Sequence, residues 1–169
     1  PPGAPGKGFL IFPVTRNVKV GVLNLAGRVF MGDLDCPFRC ADAMLAEIKR
    51  QTPVIIVDFH AEATSEKQAL GWYLDGRVTA VLGTHTHTQT ADERLLPAGT
   101  AYITDVGMTG PRDSVLGVKS EIILKKFMTQ MPVRFEIADG VAQLNAVVLG
   151  INPANGEAYS IKRVQRYLE

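Results

Sequence analysis

His60, His85 and His87 are the only histidines in the chain, and the last two stand in the segment Gly83-Thr84-His85-Thr86-His87. His60 closes the apolar run Pro53-Val54-Ile55-Ile56-Val57-Asp58-Phe59. Neutral imidazole is the commonest side-chain metal ligand and titrates near physiological pH. A His-x-His pair on an extended segment points both rings to one face, because side chains repeat every second residue. The clustering therefore suggests part of a metal site. Chance proximity is the plain alternative, and the shared position of the histidines at the ends of apolar runs argues against it. The glycine and threonines beside His85 and His87 leave room for an ion and can donate hydrogen bonds.

Other candidates surround these three. Asp58 would share a strand face with His60 and could accept the free ring N–H of a ligand histidine, or serve as a ligand itself. Glu62 could support the site in the same way. Glu66 lies where a first-turn helix acid belongs, and for it the helix reading is preferred. Thr84, Thr86 and the loop Gly107-Met108-Thr109-Gly110-Pro111, with Thr109 at its centre, could contact a phosphate. Turn geometry explains the same residues equally well.

The elements that must position these groups can be read from periodicity. Gly8 to Val14 and Asn17 to Leu25 read as strands turning at Thr15-Arg16-Asn17, with Val29 to Met31 as a short third strand. Asp33 or Asp35 can cap a helix with Pro37 in its first turn, running to about Arg50 and burying Ala41, Met44, Leu45 and Ile48. Pro53 to Phe59 and Val78 to Leu82 read as buried strands flanking a helix from Glu66 to about Leu74. This is a βαβ pattern, and sites in open α/β sheets form beyond the carboxyl ends of strands. His60 and His85 both fall at such ends. Strands follow at Arg94 to Pro97 and Thr100 to Val106, then a helix near Lys119 to Thr129. Three last strands, Val133 to Ala138, Val141 to Ile151 and Glu157 to Tyr167, are joined by hairpin signals at Asp139-Gly140 and Asn155-Gly156. The expected architecture is a layered α/β sandwich with a mixed sheet.

Size and composition narrow the function. A chain of 169 residues, 46% apolar and 21% charged, suits one globular domain. With 18 basic and 17 acidic residues the net charge is +1, too small to draw in nucleic acid or an anionic membrane. Lys125-Lys126 and Arg163 to Arg166 read as solvated edges. No apolar run approaches the roughly 20 residues that cross a bilayer, and no signal peptide precedes the domain. Cys36 and Cys40 are spaced for one helical face rather than for a zinc site, and reduced thiols in a cytoplasmic protein are expected. The opening Pro1-Pro2-Gly3-Ala4-Pro5-Gly6 resembles a connecting loop, which suggests a chain cut from something longer.

Asp58-Phe59-His60 matches the Asp-x-His motif that opens many dinuclear phosphoesterases, and Gly83 to His87 is similar to their closing Gly-His-x-His motif. Such enzymes also need a bridging acid and an Asn-His pair. Residues 61 to 82 hold no asparagine and no histidine, and none of the five asparagines in the chain precedes a histidine. Either the other ligands lie upstream of Pro1 or the site is mononuclear.

Longer segments carry a more specific resemblance. Phe59 to Lys67, Gly83 to Asp92 and Tyr102 to Pro111, together with Val29-Phe30-Met31 and Asp35-Cys36-Pro37-Phe38, resemble the bacterial YmdB-type metallophosphoesterases along nearly the whole chain. The resemblance implies a calcineurin-like α/β sandwich, present here without its N-terminal portion, as a single truncated domain over residues 1–169. It also implies a dinuclear metal centre that hydrolyses phosphodiesters, including 2′,3′-cyclic nucleotides. By resemblance His60 and His85 would bind one metal and His87 the other, with iron or manganese foremost and zinc or magnesium as alternatives. The family's remaining ligands, and the histidine thought to act as general acid, belong to a segment with no counterpart here. The isolated chain is therefore expected to bind metal weakly and to turn over little.

A small phosphodiester or cyclic nucleotide is the expected partner. A homo-oligomer would follow if an incomplete domain exposed an apolar face. A non-catalytic module that binds metal or nucleotide is the alternative reading, distinguished only by what lies upstream. An amidohydrolase built on His-x-His would need histidines downstream, and none follows His87.

Overall fold

Apolar β-branched runs build the centre of a six-stranded sheet, and the computed structural model describes it within residues 5–168. Most of the proline- and glycine-rich opening lies outside the described residues. The elements in chain order are β1 (Phe9–Pro13), β2 (Lys19–Ala26), α1 (Pro37–Ile48), β3 (Ile55–His60), α2 (Thr64–Leu74), β4 (Ala80–Thr84), β5 (Arg94–Leu95), β6 (Ala101–Ile103), β7 (Gly110–Pro111), α3 (Ser120–Thr129), β8 (Ala142–Ile151) and β9 (Ala158–Leu168). The large sheet has the order β1-β2-β3-β4-β6-β5, and β7-β8-β9 form a second, antiparallel sheet. Strands β2, β3, β4 and β6 are mutually parallel, with β1 and β5 antiparallel at the two edges. The mixed-sheet α/β sandwich read from the sequence is the architecture observed.

The alternation within β3 explains the layers. Ile55, Val57 and Phe59 are fully buried against Leu45 and Ile48 of α1 and Leu70 and Leu74 of α2. Each such side chain contributes roughly 1.5–3 kcal/mol when fully buried. Ile56, on the opposite face, packs with Leu82 against Ala80, Ala101 and Ala158, beside Leu149 and Ile161 of the second sheet. Asp58 and His60 share that second face by the two-residue repeat. The βαβ unit β3-α2-β4 is present, with His60 registered against Thr84.

Several expectations are corrected. Val29 to Met31 form a turn and not a strand: Phe30 has φ 61° and is 87% exposed. Neither Asp33 nor Asp35 caps α1; Cys36 occupies the N-cap without a side-chain hydrogen bond, and the helix ends at Ile48. Val133 to Ala138 form no strand and contribute only a single bridging pair, Val118 with Ile137, flanked by Lys119 N donating to Glu136 O and Ala138 N donating to Gly117 O. The Asp139-Gly140 turn therefore leads into β8 without forming a hairpin. β8 and β9 do pair along their length, closed by a loop in which Asn152 N donates to Glu157 O and Gly156 N donates to Asn152 O. Both cysteines are free thiols, partly buried as expected. Among the described residues no helix is long and apolar enough to cross a membrane.

Candidate active site

The carboxyl ends of β2, β3 and β4 bring Asn24, Asp58, His60 and Thr84 side by side through their registers. Asn24 Nδ2 donates to Asp58 Oδ2 at 2.8 Å, and the Thr84 hydroxyl donates to Asp58 Oδ1 at 3.1 Å. A hydroxyl has one proton to give. With it committed to Asp58, Thr84 Oγ1 accepts from His60 Nδ1, 3.2 Å away. That assignment leaves His60 Nε2 with its lone pair, pointing out of the sheet edge. Asp58 thus supports His60, but through Thr84 rather than by direct contact with the ring.

His60 Nε2 meets His85 Nδ1 at 3.0 Å, although the residues are 25 positions apart. The rings lie edge to face with an interplanar angle of 77°. His85 Nε2 in turn stands 2.6 Å from Glu62 Oε2. Two bare ring nitrogens at this separation would set lone pair against lone pair, so the pair needs a proton or a cation between its members. The spacing also matches two ligands set at right angles around one ion at about 2.1 Å each. In donor type and spacing the pair fits half of a metal's coordination, with Glu62 as a carboxylate alongside.

His87 departs from the expected arrangement. β4 ends at Thr84, and the backbone then enters the left-handed region at His85 (φ 123°) and His87 (φ 64°). The rule that places both rings on one face holds for extended chain, and this segment is not extended. His87 instead stands exposed on the wall of a cavity of about 440 Å³, with Thr88, Gln89, Met108, Gln143 and Asn145 among its neighbours. Among the described residues no group of three or more His, Cys, Asp or Glu side chains is placed to hold one ion. The structure joins His60 and His85 and leaves His87 apart from them.

Non-glycine residues at positive φ cost of the order of 1–3 kcal/mol each and persist only where their surroundings hold them. Here the hold is Asp105, at the carboxyl side of β6. Its Oδ2 accepts from Thr86 N and from Lys67 Nζ, both at 2.9 Å, and its Oδ1 accepts from Gly107 N at 2.9 Å. Lys67 and Asp105 are each only 1% exposed. Burial pushes the Asp105 carboxyl up, but the Lys67 ammonium and the N–H groups of Thr86 and Gly107 outweigh it and hold the group below the usual carboxylate value. Gly83 has its own requirement, since a Cβ there would overlap the Thr104 carbonyl oxygen. The room expected at Gly83 for an ion is filled by backbone.

The remaining candidates separate by geometry. The Thr86 hydroxyl donates to Thr88 O, the turn role weighed against phosphate contact. Thr109 is exposed and makes no hydrogen bond with a described residue. Glu66 lies in the first turn of α2, but its carboxylate accepts from Arg28 N and Val29 N and pins the loop between β2 and α1. Asn24, Lys67 and Asp105 were missed as supporting residues. Asp105 had a readable signal, since it lies just beyond the carboxyl end of a parallel strand as His85 does. Asn24 and Lys67 had none, because their partners come from other elements.

This arrangement, with polar and imidazole side chains at the carboxyl ends of the parallel strands and helices on one face and a hairpin on the other, defines a mixed-sheet α/β sandwich. Comparison with known proteins narrows the class to a family. The model of the YmdB-like protein family matches residues 1–164, and the chain belongs to that family. It is 54% identical to a 2′,3′-cyclic-nucleotide 2′-phosphodiesterase of Bacillus subtilis (strain 168) over 164 residues, which is 97% of this chain and 62% of that protein. Among solved structures, a hypothetical protein from Thermus thermophilus superposes with a TM-score of 0.91 at 44% identity, covering 99% of this chain and 64% of the other. A Mycoplasma pneumoniae structure described as a novel phosphatase gives 0.85 at 36% identity, covering 96% and 58%. The chain therefore spans somewhat less than two thirds of the relatives it matches.

Proposed function

We propose that this chain is the larger part of a metal-dependent phosphodiesterase acting on 2′,3′-cyclic nucleotides or related small phosphodiesters. The observation that supports this most directly is the facing pair His60 Nε2 and His85 Nδ1, held by Asp58, Thr84 and Glu62 at the edge of a fold shared with a phosphodiesterase. His60 and His85 would hold one ion and His87 a second, with iron or manganese as the preferred metals. The carboxylate and amide ligands that complete two sites would come from the portion of the relatives' length that this chain does not span. When bound, the metals supply positive charge to the phosphate oxygens and acidify the attacking water. The chain's own residues fix the geometry. Thr84 locks the His60 tautomer, Glu62 orients His85, and Asp105 keeps the His85–His87 turn in its strained form.

The test is hydrolysis of bis-p-nitrophenyl phosphate in Mn²⁺ or Fe²⁺, with Mn²⁺ binding followed by calorimetry. A chain extended upstream along its own gene should be active, and the 169-residue chain should turn over little. His60→Ala and His85→Ala should each lower kcat/KM roughly 100-fold or more and weaken Mn²⁺ binding. Equal rates from the two chain lengths would refute the divided site. Undiminished activity in a chelator would refute the metal.

A further inference from the structure

The cavity beside His87 carries four amide side chains, Gln89, Gln143, Asn145 and Gln165. Three of them are committed. Gln89 Nε2 donates to Val106 O at 3.1 Å and to Ala146 O at 3.0 Å. Asn145 Nδ2 donates to Met108 O at 2.9 Å, while its Oδ1 accepts from Gln165 Nε2 at 3.1 Å. Gln165 Oε1 accepts from the Tyr167 hydroxyl at 2.8 Å. This chain of bonds makes a rigid polar floor. Gln143 differs. It is half-buried on β8 between Gly110 and Tyr167, and its side-chain amide bonds to none of the described residues. A polar group held in a cavity by paired backbone, with no internal partner, is disposed toward a ligand.

The lining indicates what that ligand is. The cavity's two guanidinium groups are already engaged, Arg163 with Glu93 at 2.7 Å and Arg112 with Asp113. The site therefore offers no surplus charge to a second anion and suits a neutral, polar group. An amide presents a donor and an acceptor side by side, the complement of a nucleobase edge. A volume of about 440 Å³ lies within the usual range for small-molecule sites, and the cavity is lined by His87, two residues beyond His85 on the same turn. In a cyclic nucleotide only the ribose separates phosphate from base. Resting on the reading that the phosphate sits at the histidines, we propose that this cavity is the subsite for the nucleoside part of the substrate, with Gln143 bonding to the base.

Binding tests this without turnover. In ¹⁵N-edited NMR titrations, 3′-AMP should shift the Gln143 side-chain amide and bind about tenfold more tightly than ribose 5-phosphate, a ratio in the range for one bidentate amide–base pair. Gln143→Met, which keeps the side chain's length, should reduce that ratio to near unity without changing ribose 5-phosphate affinity, and Gln143→Ala should do the same. No preference for 3′-AMP in the unaltered chain, or a preference that survives both substitutions, overturns the subsite. A Gln143-dependent preference in a protein whose extended form never cleaves a phosphodiester would keep the subsite and overturn the proposed activity.

Discussion

At the residue scale, Thr84 is the hinge of the site's geometry, because one hydroxyl joins the Asp58 carboxylate to His60, the proposed metal ligand. Partners that orient a ligand histidine commonly change metal affinity by about 10–100-fold when removed. Thr84→Val should therefore weaken Mn²⁺ binding by roughly tenfold or more while lowering stability by only about 1 kcal/mol, the usual loss for one such hydrogen bond. Calorimetry alongside thermal melting separates the two effects, and unchanged Mn²⁺ affinity would remove Thr84 from the site. Cys36 is a second case where a neighbour sets reactivity. The Arg39 backbone N–H at the start of α1 lowers its thiol below the ordinary value, against a smaller opposing effect of burial. In a Cys40→Ser background, the pH midpoint of iodoacetamide alkylation should fall below that of the same protein unfolded in urea. The histidines were legible because their residue type is rare and their positions end apolar runs. Thr84 was legible only as a candidate phosphate contact, since its role depends on Asp58 and His60 from the neighbouring strand.

At the element scale, the strand periodicity that located His60 and Thr84 fails one residue later, where the backbone turns left-handed. Nothing in the local sequence announces this, because the cause is Asp105, reaching the turn from the end of β6. Lys67 reaches the same carboxylate from α2, a helix position that reads as solvent-facing. The buried pair also gives the clearest stability prediction. Removing one member of a buried ion pair leaves an uncompensated charge and costs about 3–5 kcal/mol. Asp105→Asn should lose that much in urea unfolding at pH 7, and Lys67→Met a comparable amount. The sign with pH follows from the lowered carboxyl. A group whose folded value lies below its unfolded one stabilises above the unfolded value and loses that contribution as pH falls through the folded one. The advantage of the unaltered chain over Asp105→Asn should thus be whole at neutral pH and shrink below pH 3.8. A difference that stayed constant down to pH 2 would mean that the carboxylate's charge is not what holds the turn.

At the scale of the whole molecule, the two sheets meet through very small side chains. Ala80 and Ala101 of the large sheet and Ala158 of β9 form the centre of this contact, and Ala80 and Ala101 are fully buried. Hydrophobic patterning made β8 and β9 readable as strands, but their position over β4 and β6 depends on which residues lack bulk, a feature that periodicity does not report. The consequence for the site is direct. β4 leads into the histidine turn, while β8 and β9 carry Gln143, Asn145, Arg163 and Gln165, so the seating of the hairpin on the large sheet is expected to bear on the cavity. Arg163 and Glu93 tie the hairpin to the β5 side at the same level. Ala101→Leu should force the sheets apart, at a cost of about 2 kcal/mol for overpacking. In a chain of this size that is a fall of roughly 4–8 °C in Tm. Because Ala101 touches neither histidine, Mn²⁺ binding at His60 and His85 should survive while the preference for 3′-AMP over ribose 5-phosphate declines. Loss of both together would show that the cavity and the histidine edge are one rigid unit, and loss of neither would show that the second sheet does not set the cavity's width.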